Sequence, residues 1–370
     1  MRQQGRQHLR VAMVSTPFVP VPPRQYGGTE LVVAELIDGL VERGARVTLF
    51  AAGDSRGGYH RACPVRSWFK DSTWPPSVYK ELEHSSFALG ELLARQGEFD
   101  LVHAHCATFL PLTLQLDLPV VYTLHHPYDD ELCRLYGDFQ RITYVAISAR
   151  QQQLCGPFAR GAVIHHGVEP ERYRLGQVRP DTVAFLGRLS RVKAPHRAIE
   201  IAAAAGLRLR IGGRAHEEDA EYFRAEVRPR LGGPLVEHLG EVGHEPKVEL
   251  LSTSRALLFP IEWEEPFGLV MIEAMLCGCP VIAYARGAAP EVIDEGITGF
   301  LARDEKQMVE LLEGPAHPAL FDRKRCRAHA AGRFSAARMV ADYLRVYQAA
   351  HLQALAEREA EAEAALQPHA

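Results

Sequence analysis

The 370-residue chain lacks any Cys-x-x-Cys pair, and its seven cysteines are scattered at 63, 106, 133, 155, 277, 279 and 326, which excludes a zinc ribbon and a disulfide framework. Buried thiols are the expectation. No stretch approaches ~18 uninterrupted apolar residues, and the polar start Met1–Arg10 has no apolar signal core, so neither a membrane span nor an export signal is expected. A cytoplasmic location is predicted, with peripheral membrane contact still compatible. There is no long Lys/Arg run, and 42 basic against 46 acidic residues give a net charge of −4, so the footprint of a nucleic-acid binder is missing. No two glycines stand at i, i+2, and Gly-Lys-Ser/Thr does not occur, which argues against nicotinamide chemistry and triphosphate hydrolysis. No two aspartates stand at i, i+2 either, so a common carboxylate clamp for a divalent metal is absent. A mechanism without metal or cofactor is expected.

What is present is ordinary globular composition, 47% apolar and 24% charged, in a chain long enough for two or three domains at ~150 residues each. Arg10–Ser15 and Arg46–Ala51 read as buried strands around a helix over Thr29–Arg43 that Gly44 stops. Further near-continuous apolar strands follow at Phe99–His105, Pro119–His125, Thr143–Ser148 and Ala162–His165, the pattern of a parallel sheet covered on both faces. The same grammar restarts at Asp181. A strand Thr182–Leu186 leads through the loop Gly187–Ala194 into a helix opening at Pro195, then to strands at Arg208–Ile211, Ala256–Ile261 and Pro280–Tyr284. Two α/β domains are therefore predicted, residues 1–166 and 181–334, joined by a linker at 167–180. Apolar residues at helical spacing predict a further helix over 335–352, and the Glu/Ala-rich end, 353–370, reads as a solvated tail, helical over Glu357–Ala365.

The most informative stretch is Phe259–Glu291. Glu265 falls in the loop after a strand, Phe267, Gly268 and Leu269 open the next helix, and Glu273 lies about a turn and a half inside it. That puts a carboxylate and free backbone N–H groups at the carboxyl edge of a parallel sheet, where doubly wound folds bind ligands. A helix start with Gly268 suits phosphate, and a second carboxylate suits two adjacent hydroxyls, as on a ribose. In the loop after Thr182–Leu186, Arg188 and Lys193 are five residues apart and could straddle a pyrophosphate, one as a fork and one as a point charge.

Together these residues resemble the retaining glycosyltransferases of the GT-B fold, family 4 (glycosyl transferases group 1). The resemblance is carried by G-R-x-x-x-x-K at Gly187–Lys193, by E-P-F-G-L-V-x-x-E-A-M with Glu265 and Glu273, by the later G-x-P-V-I-A and G-A-A-P-E, and by Gly27–Gly28–Thr29–Glu30. It implies two Rossmann-like α/β domains facing each other across a cleft, the first on the acceptor side and the second binding a nucleotide sugar. The 335–352 helix would pack back on the first domain. The implied activity is transfer of a hexose, with glucose on uridine diphosphate as the expected donor, to an unidentified hydroxyl acceptor with retention of configuration. A non-catalytic nucleotide-sugar-binding protein and a sugar-nucleotide epimerase of the same fold are the alternatives.

Placed on matching positions, the resemblance makes Arg188, Lys193, Glu265 and His125 the catalytic set. Arg188 and Lys193 would neutralise the diphosphate, Glu265 would hold sugar hydroxyls, and His125 would sit at the sugar. Gly28, Phe267, Gly268 and Leu269 would bind the donor with Glu273 on the ribose. The family commonly has T-x-H-G where this chain has His126 after His125, so either imidazole could face inward. The pairs His103 and His105, His125 and His126, and His165 and His166 also admit a metal reading, but no third ligand is identifiable, and His103 and His105 are expected as polar strand-end residues. Arg24, Tyr26, Trp68 and Trp74 fall in loops of the first domain, where aromatics can stack on a sugar or simply pack.

Overall fold

The computed structural model describes residues 8–25 and 27–366, so Tyr26 and the ends of the chain lie outside the described residues. The chain divides into two compact units, Met1–Ile147 with Gln152–His165 and Ala336–Ala370, and Ser148–Gln151 with His166–Ser335. The segment expected as a linker, residues 167–180, groups with the second unit.

The first unit is built on seven parallel strands: β1 Arg10–Val14, β2 Arg46–Phe50, β3 Val65–Arg66, β4 Leu101–Ala104, β5 Val120–Thr123, β6 Thr143–Ala146 and β7 Gly161–Val163, in the order β3-β2-β1-β4-β5-β6-β7. The second has six: β8 Thr182–Leu186, β9 Arg208–Gly212, β10 Val236–Gly240, β11 Leu257–Phe259, β12 Val281–Tyr284 and β13 Gly299–Ala302, in the order β10-β9-β8-β11-β12-β13. Both are doubly wound sheets whose order reverses beside the first strand, at β1/β4 and β8/β11. Ligands gather in such folds at the carboxyl end of that reversal. The central strands are buried on both faces because helices cover each side, which is why β1 and β8 read as unbroken apolar runs.

In the first unit the helix Gly28–Glu42 buries Leu31, Val32, Val33, Leu36, Ile37 and Leu40. Its Gly39 receives the terminal helix Ala336–Leu366: a Cβ on Gly39 would lie 2.5 Å from Cγ2 of Val340. Met339, Val340, Tyr343 and Tyr347 on that helix are fully buried, each such side chain adding about 1.5–3 kcal/mol by burial. The segment expected as a solvated tail, helical over Glu357–Ala365, continues this helix without a break as far as Leu366. It is tied down on its way, since Glu357 accepts a hydrogen bond from Arg160 and Glu361 pairs with Arg141 at 2.6 Å. No helix among the described residues is long and apolar enough to cross a membrane. All seven cysteines are free thiols, five of them buried.

Candidate functional site

In the second unit the loop between β8 and the helix Pro195–Ala204 carries both sequence-predicted cations. Gly187 (φ 156°) sits against the turn after β9, where a Cβ on Gly213 would fall 1.9 Å from the Gly187 carbonyl oxygen. Only glycine allows those two turns to touch. Lys193 closes the short turn Arg191–Lys193, which is capped by Ala194 at φ 51°, the one non-glycine residue with positive φ among those described. Such backbone conformations cost of order 1–3 kcal/mol and persist where the surroundings over-determine them. Here Ala194 is fully buried and Pro195 fixes the next residue.

Lys193 forms an ion pair with Glu265 and lies 4.9 Å from the centroid of the Trp263 ring. Trp263 in turn donates from Nε1 to Glu265 at 2.7 Å. Both bonds fall on Oε2 of Glu265, and neither involves Oε1. Glu265 is 8% exposed, and at that burial its side chain depends on such donors in place of water. Its backbone is fixed from beneath: the Ala288 N–H donates to the Glu265 carbonyl at 2.9 Å, and a Cβ on Gly287 (φ 56°) would stand 2.2 Å from the Glu265 nitrogen. The G-A-A-P-E motif thus has a physical reason, because its glycine makes room for the Glu265 loop.

Gly268 caps the helix Leu269–Leu276 in the left-handed conformation (φ 84°), and the first-turn N–H groups of such a helix have no intrahelical acceptor. Phe267 is 2% exposed and meets His166 and Phe334 edge-on, with ring centroids 5.1 and 6.1 Å away. It anchors the helix start through its ring. Glu273, 5% exposed, accepts from Tyr173 Oη at 2.9 Å and from Lys247, again both on one oxygen, Oε1. Trp263, Tyr173 and Lys247 were not singled out by sequence reasoning. Tyr173 and Lys247 lie 100 and 26 residues from Glu273, and nothing local in the chain joins them.

Arg188 stands apart from Lys193 in its pairing. Its guanidinium reaches Glu218 at 3.0 Å and Asp219 at 3.3 Å. These two carboxylates with His216 are the one group of three potential metal ligands among the described residues. Arg188 already neutralises it, and a guanidinium forking onto phosphate must exchange these partners.

In the first unit, Gly28 opens the helix Gly28–Glu42 after Gly27, where a Cβ would meet Pro23 at 2.7 Å. Glu30 in the same first turn is buried, accepts from Thr16 at 2.8 Å, and has its carboxyl pushed up by burial. His125 is half-buried just past β5 and is hydrogen-bonded to His105 (His125 Nε2 to His105 Nδ1, 2.8 Å), whereas His126 is exposed. Burial nonetheless pushes the His126 imidazole below its ordinary pKa, against a smaller opposing pull from Asp129. His103 and His105, expected as polar strand-end residues, are buried instead. His103 bonds Tyr347 Oη at 2.7 Å and Thr123 Oγ1 at 2.8 Å, and Tyr343 Oη reaches the same threonine at 2.8 Å. Burial holds the His103 imidazole well below its ordinary pKa, with His125 adding to the effect. Of the loop residues noted, Arg24 pairs with Asp54 at 3.3 Å, and Trp68 and Trp74 are 58% and 45% exposed.

This geometry defines a class: two Rossmann-like parallel-sheet domains with the GT-B fold of glycosyltransferases. The family described as glycosyl transferases group 1 matches residues 172–314, and glycosyltransferase family 4 matches residues 26–172. A glycosyltransferase of avilamycin A biosynthesis superposes with a TM-score of 0.69 at 26% identity, over 93% of this chain and 98% of that one. An Anabaena protein solved with UDP and glucose gives 0.73 at 20% identity, over 92% and 100%. D-inositol 3-phosphate glycosyltransferase of Mycolicibacterium paratuberculosis is 30% identical over 193 residues, 47% of this chain and 44% of that protein. A 41.2 kDa protein of the Klebsiella pneumoniae cps region is 39% identical over 97 residues, 25% of this chain and 26% of that protein. The chain thus spans less than half the length of these curated relatives.

Proposed function

We propose that the protein is a retaining hexosyltransferase that moves glucose from UDP-glucose to a hydroxyl acceptor. The observation that carries this reading is the arrangement of Lys193, Trp263 and Glu265 beside the helix start at Gly268, with Glu273 one and a half turns along the same helix. Cationic and N–H donors lie beside two carboxylates, the pattern that a diphosphate flanked by sugar and ribose hydroxyls requires.

In this reading Lys193 and the N–H groups of Gly268 and Leu269 meet the diphosphate, and Arg188 joins them on leaving Glu218 and Asp219. Glu265 and Glu273 each offer the oxygen outside their existing bonds, one to the sugar and one to the ribose. From the first unit, Gly28 is assigned to a phosphate oxygen and His125 to a sugar hydroxyl. As the bond from the anomeric carbon to the phosphate oxygen breaks, negative charge grows on the leaving phosphate, and fixed cations stabilise that charge more than the ground state. The acceptor oxygen bonds to the same carbon on the face the phosphate leaves, and its proton passes to the departing phosphate. The cations supply the neutralisation, so the scheme assigns no step to a metal.

The donor likeness is to the Anabaena structure solved with UDP and glucose, which resembles this chain in fold. A panel of radiolabelled uridine, guanosine, adenosine and thymidine diphosphate sugars tests the reading. Slow release of free glucose and UDP from UDP-glucose alone, with the anomer retained on an added acceptor, is expected. A changed sugar on intact nucleotide, or binding without turnover, would replace transfer with epimerisation or simple binding.

A further inference from the structure

The loop that carries Arg188 is tied to the loop that follows β9. The Gly187 N–H donates to the Gly212 carbonyl at 3.0 Å, and the Leu189 N–H donates to the Arg214 carbonyl at 2.9 Å. Arg188 stands between these two bonds, so its backbone is held and any exchange of partner falls to its side chain. A few residues further on, the second loop enters the turn Glu217–Asp219, which brings two carboxylates onto the guanidinium. Arg188 Nη1 donates to Glu218 Oε1 at 3.0 Å, and Arg188 Nε lies 3.3 Å from Asp219 Oδ2. The two acids are unequal. The Glu218 side chain is 63% exposed and the Asp219 side chain 12%. Oδ2 of Asp219 is shielded from solvent and has no hydrogen-bond partner among the described residues, so the guanidinium answers its charge. Burial pushes the Asp219 carboxyl up, and Arg188 pulls it the other way.

A guanidinium offers two two-pronged edges, Nε with Nη2 and Nη1 with Nη2, and it is through such an edge that it grips a phosphate. Asp219 stands on one prong of the first edge and Glu218 on one prong of the second. Neither edge is open while both carboxylates stay. We infer that Glu218 and Asp219 form a latch on Arg188 that sets the affinity of the second unit for a nucleoside diphosphate. A ligand phosphate takes the guanidinium only by displacing these acids, and they reclaim it when the ligand leaves. The cost of the exchange differs between them. Glu218 is open to water and is rehydrated on release, whereas Asp219 loses the one cation that meets its shielded oxygen, so Asp219 is the stronger half of the latch.

The inference rests on the proposed placement of Arg188 at the diphosphate, and the test separates the two. Isothermal titration of UDP, which carries the diphosphate without a sugar to transfer, is compared across wild type, Glu218→Gln, Asp219→Asn and Arg188→Ala. Each amide keeps the shape of the acid it replaces and removes the charge. Glu218→Gln should bind UDP about two- to fivefold more tightly than wild type, the range of an exposed ion pair, and Asp219→Asn up to about tenfold. A gain of affinity is a result that a damaged fold does not produce. Arg188→Ala should weaken binding, and adding either amide substitution to it should change nothing further, because the latch then has nothing to hold. Unchanged or weaker affinity in Asp219→Asn, with Arg188→Ala weakened, would overturn the latch and leave Arg188 at the diphosphate. Tightening that persists in the Arg188→Ala background would also overturn it, since the acids would then act by repelling the phosphates and not by holding the arginine. Wild-type affinity in Arg188→Ala would remove the placement of Arg188 and the latch with it.

Discussion

Glu265 and Glu273 are each satisfied through one oxygen, by a lysine and by a neutral ring donor, and this shared arrangement gives two nearly buried carboxyl groups their hydrogen-bond partners. Breaking it has a calculable cost. Lys247→Ala leaves Glu273 with Tyr173 alone and should destabilise the second unit by up to about 3 kcal/mol, whereas Tyr173→Phe, which keeps the lysine, should cost about 1.5 kcal/mol. Urea unfolding of the two variants ranks them, and the reverse order would mean that the lysine is not the main partner. Lys193→Ala should lower turnover about 100-fold with the fold intact, as for loss of a charge-stabilising group. Steady-state kinetics with circular dichroism on the same sample checks both halves of that statement. Gly287→Ala changes no charge, yet its Cβ would strike the Glu265 backbone at a φ of 56°. Weakened donor affinity with little change in secondary structure is expected, and calorimetry showing wild-type affinity would detach Glu265 from the donor.

At the scale of elements, the strands with unbroken apolar runs were legible in the sequence, since burial on both faces leaves no alternation to misread. Three strands were not. β3 is two residues long, and β10 has no buried residue, so Val236–Gly240 shows no apolar run. In β13, Gly299 is forced by proximity, a Cβ there lying 2.1 Å from the Val281 carbonyl oxygen, and its glycine reads as a turn. The helix starts at Gly28, Pro195 and Leu269 were marked by glycine or proline. The Glu/Ala-rich end was read as helical without an apolar stripe, and it continues the terminal helix to Leu366 with mostly exposed side chains, Glu357 and Glu361 pairing with Arg160 and Arg141. Gly39 supplies an element-scale prediction. Alanine would gain about 1 kcal/mol in helix propensity, but Val340 in a helix has essentially one rotamer and cannot yield. Overpacking at about 1–3 kcal/mol should win, so Gly39→Ala should lower the melting temperature. A rise would show that the terminal helix shifts freely.

Across the whole molecule, the buried histidines link stability to pH. Desolvation lowers the His84 imidazole to about 4, and His103 is held well below its ordinary value. The unfolded chain takes up these protons near pH 6.5, while the folded chain refuses them until much lower. Stability contributed by His84 is therefore complete above pH 6.5 and lost as pH falls from there to about 4, a span worth about 3 kcal/mol. Thermal unfolding between pH 7 and 4 should show this decline, and His84→Phe should make it shallower. That His103 belongs to the core was not legible, because the hydroxyl that holds it comes from Tyr347, 244 residues away. The residues proposed for the donor side stand in two compact motifs, Gly187–Lys193 and Glu265–Glu273, that the sequence displays, whereas Trp263, Tyr173 and Lys247, which bond to the two glutamates, carry no motif.

The central claim is that the second unit grips a nucleoside diphosphate sugar through Lys193 and Glu273. Isothermal titration of UDP-glucose into wild type, Lys193→Ala and Glu273→Ala tests it most directly. Binding in the wild type that weakens at least about tenfold in each variant, the loss of one charge-assisted contact, is the predicted result. Equal affinity in all three proteins, or no heat with the wild type, would contradict the account.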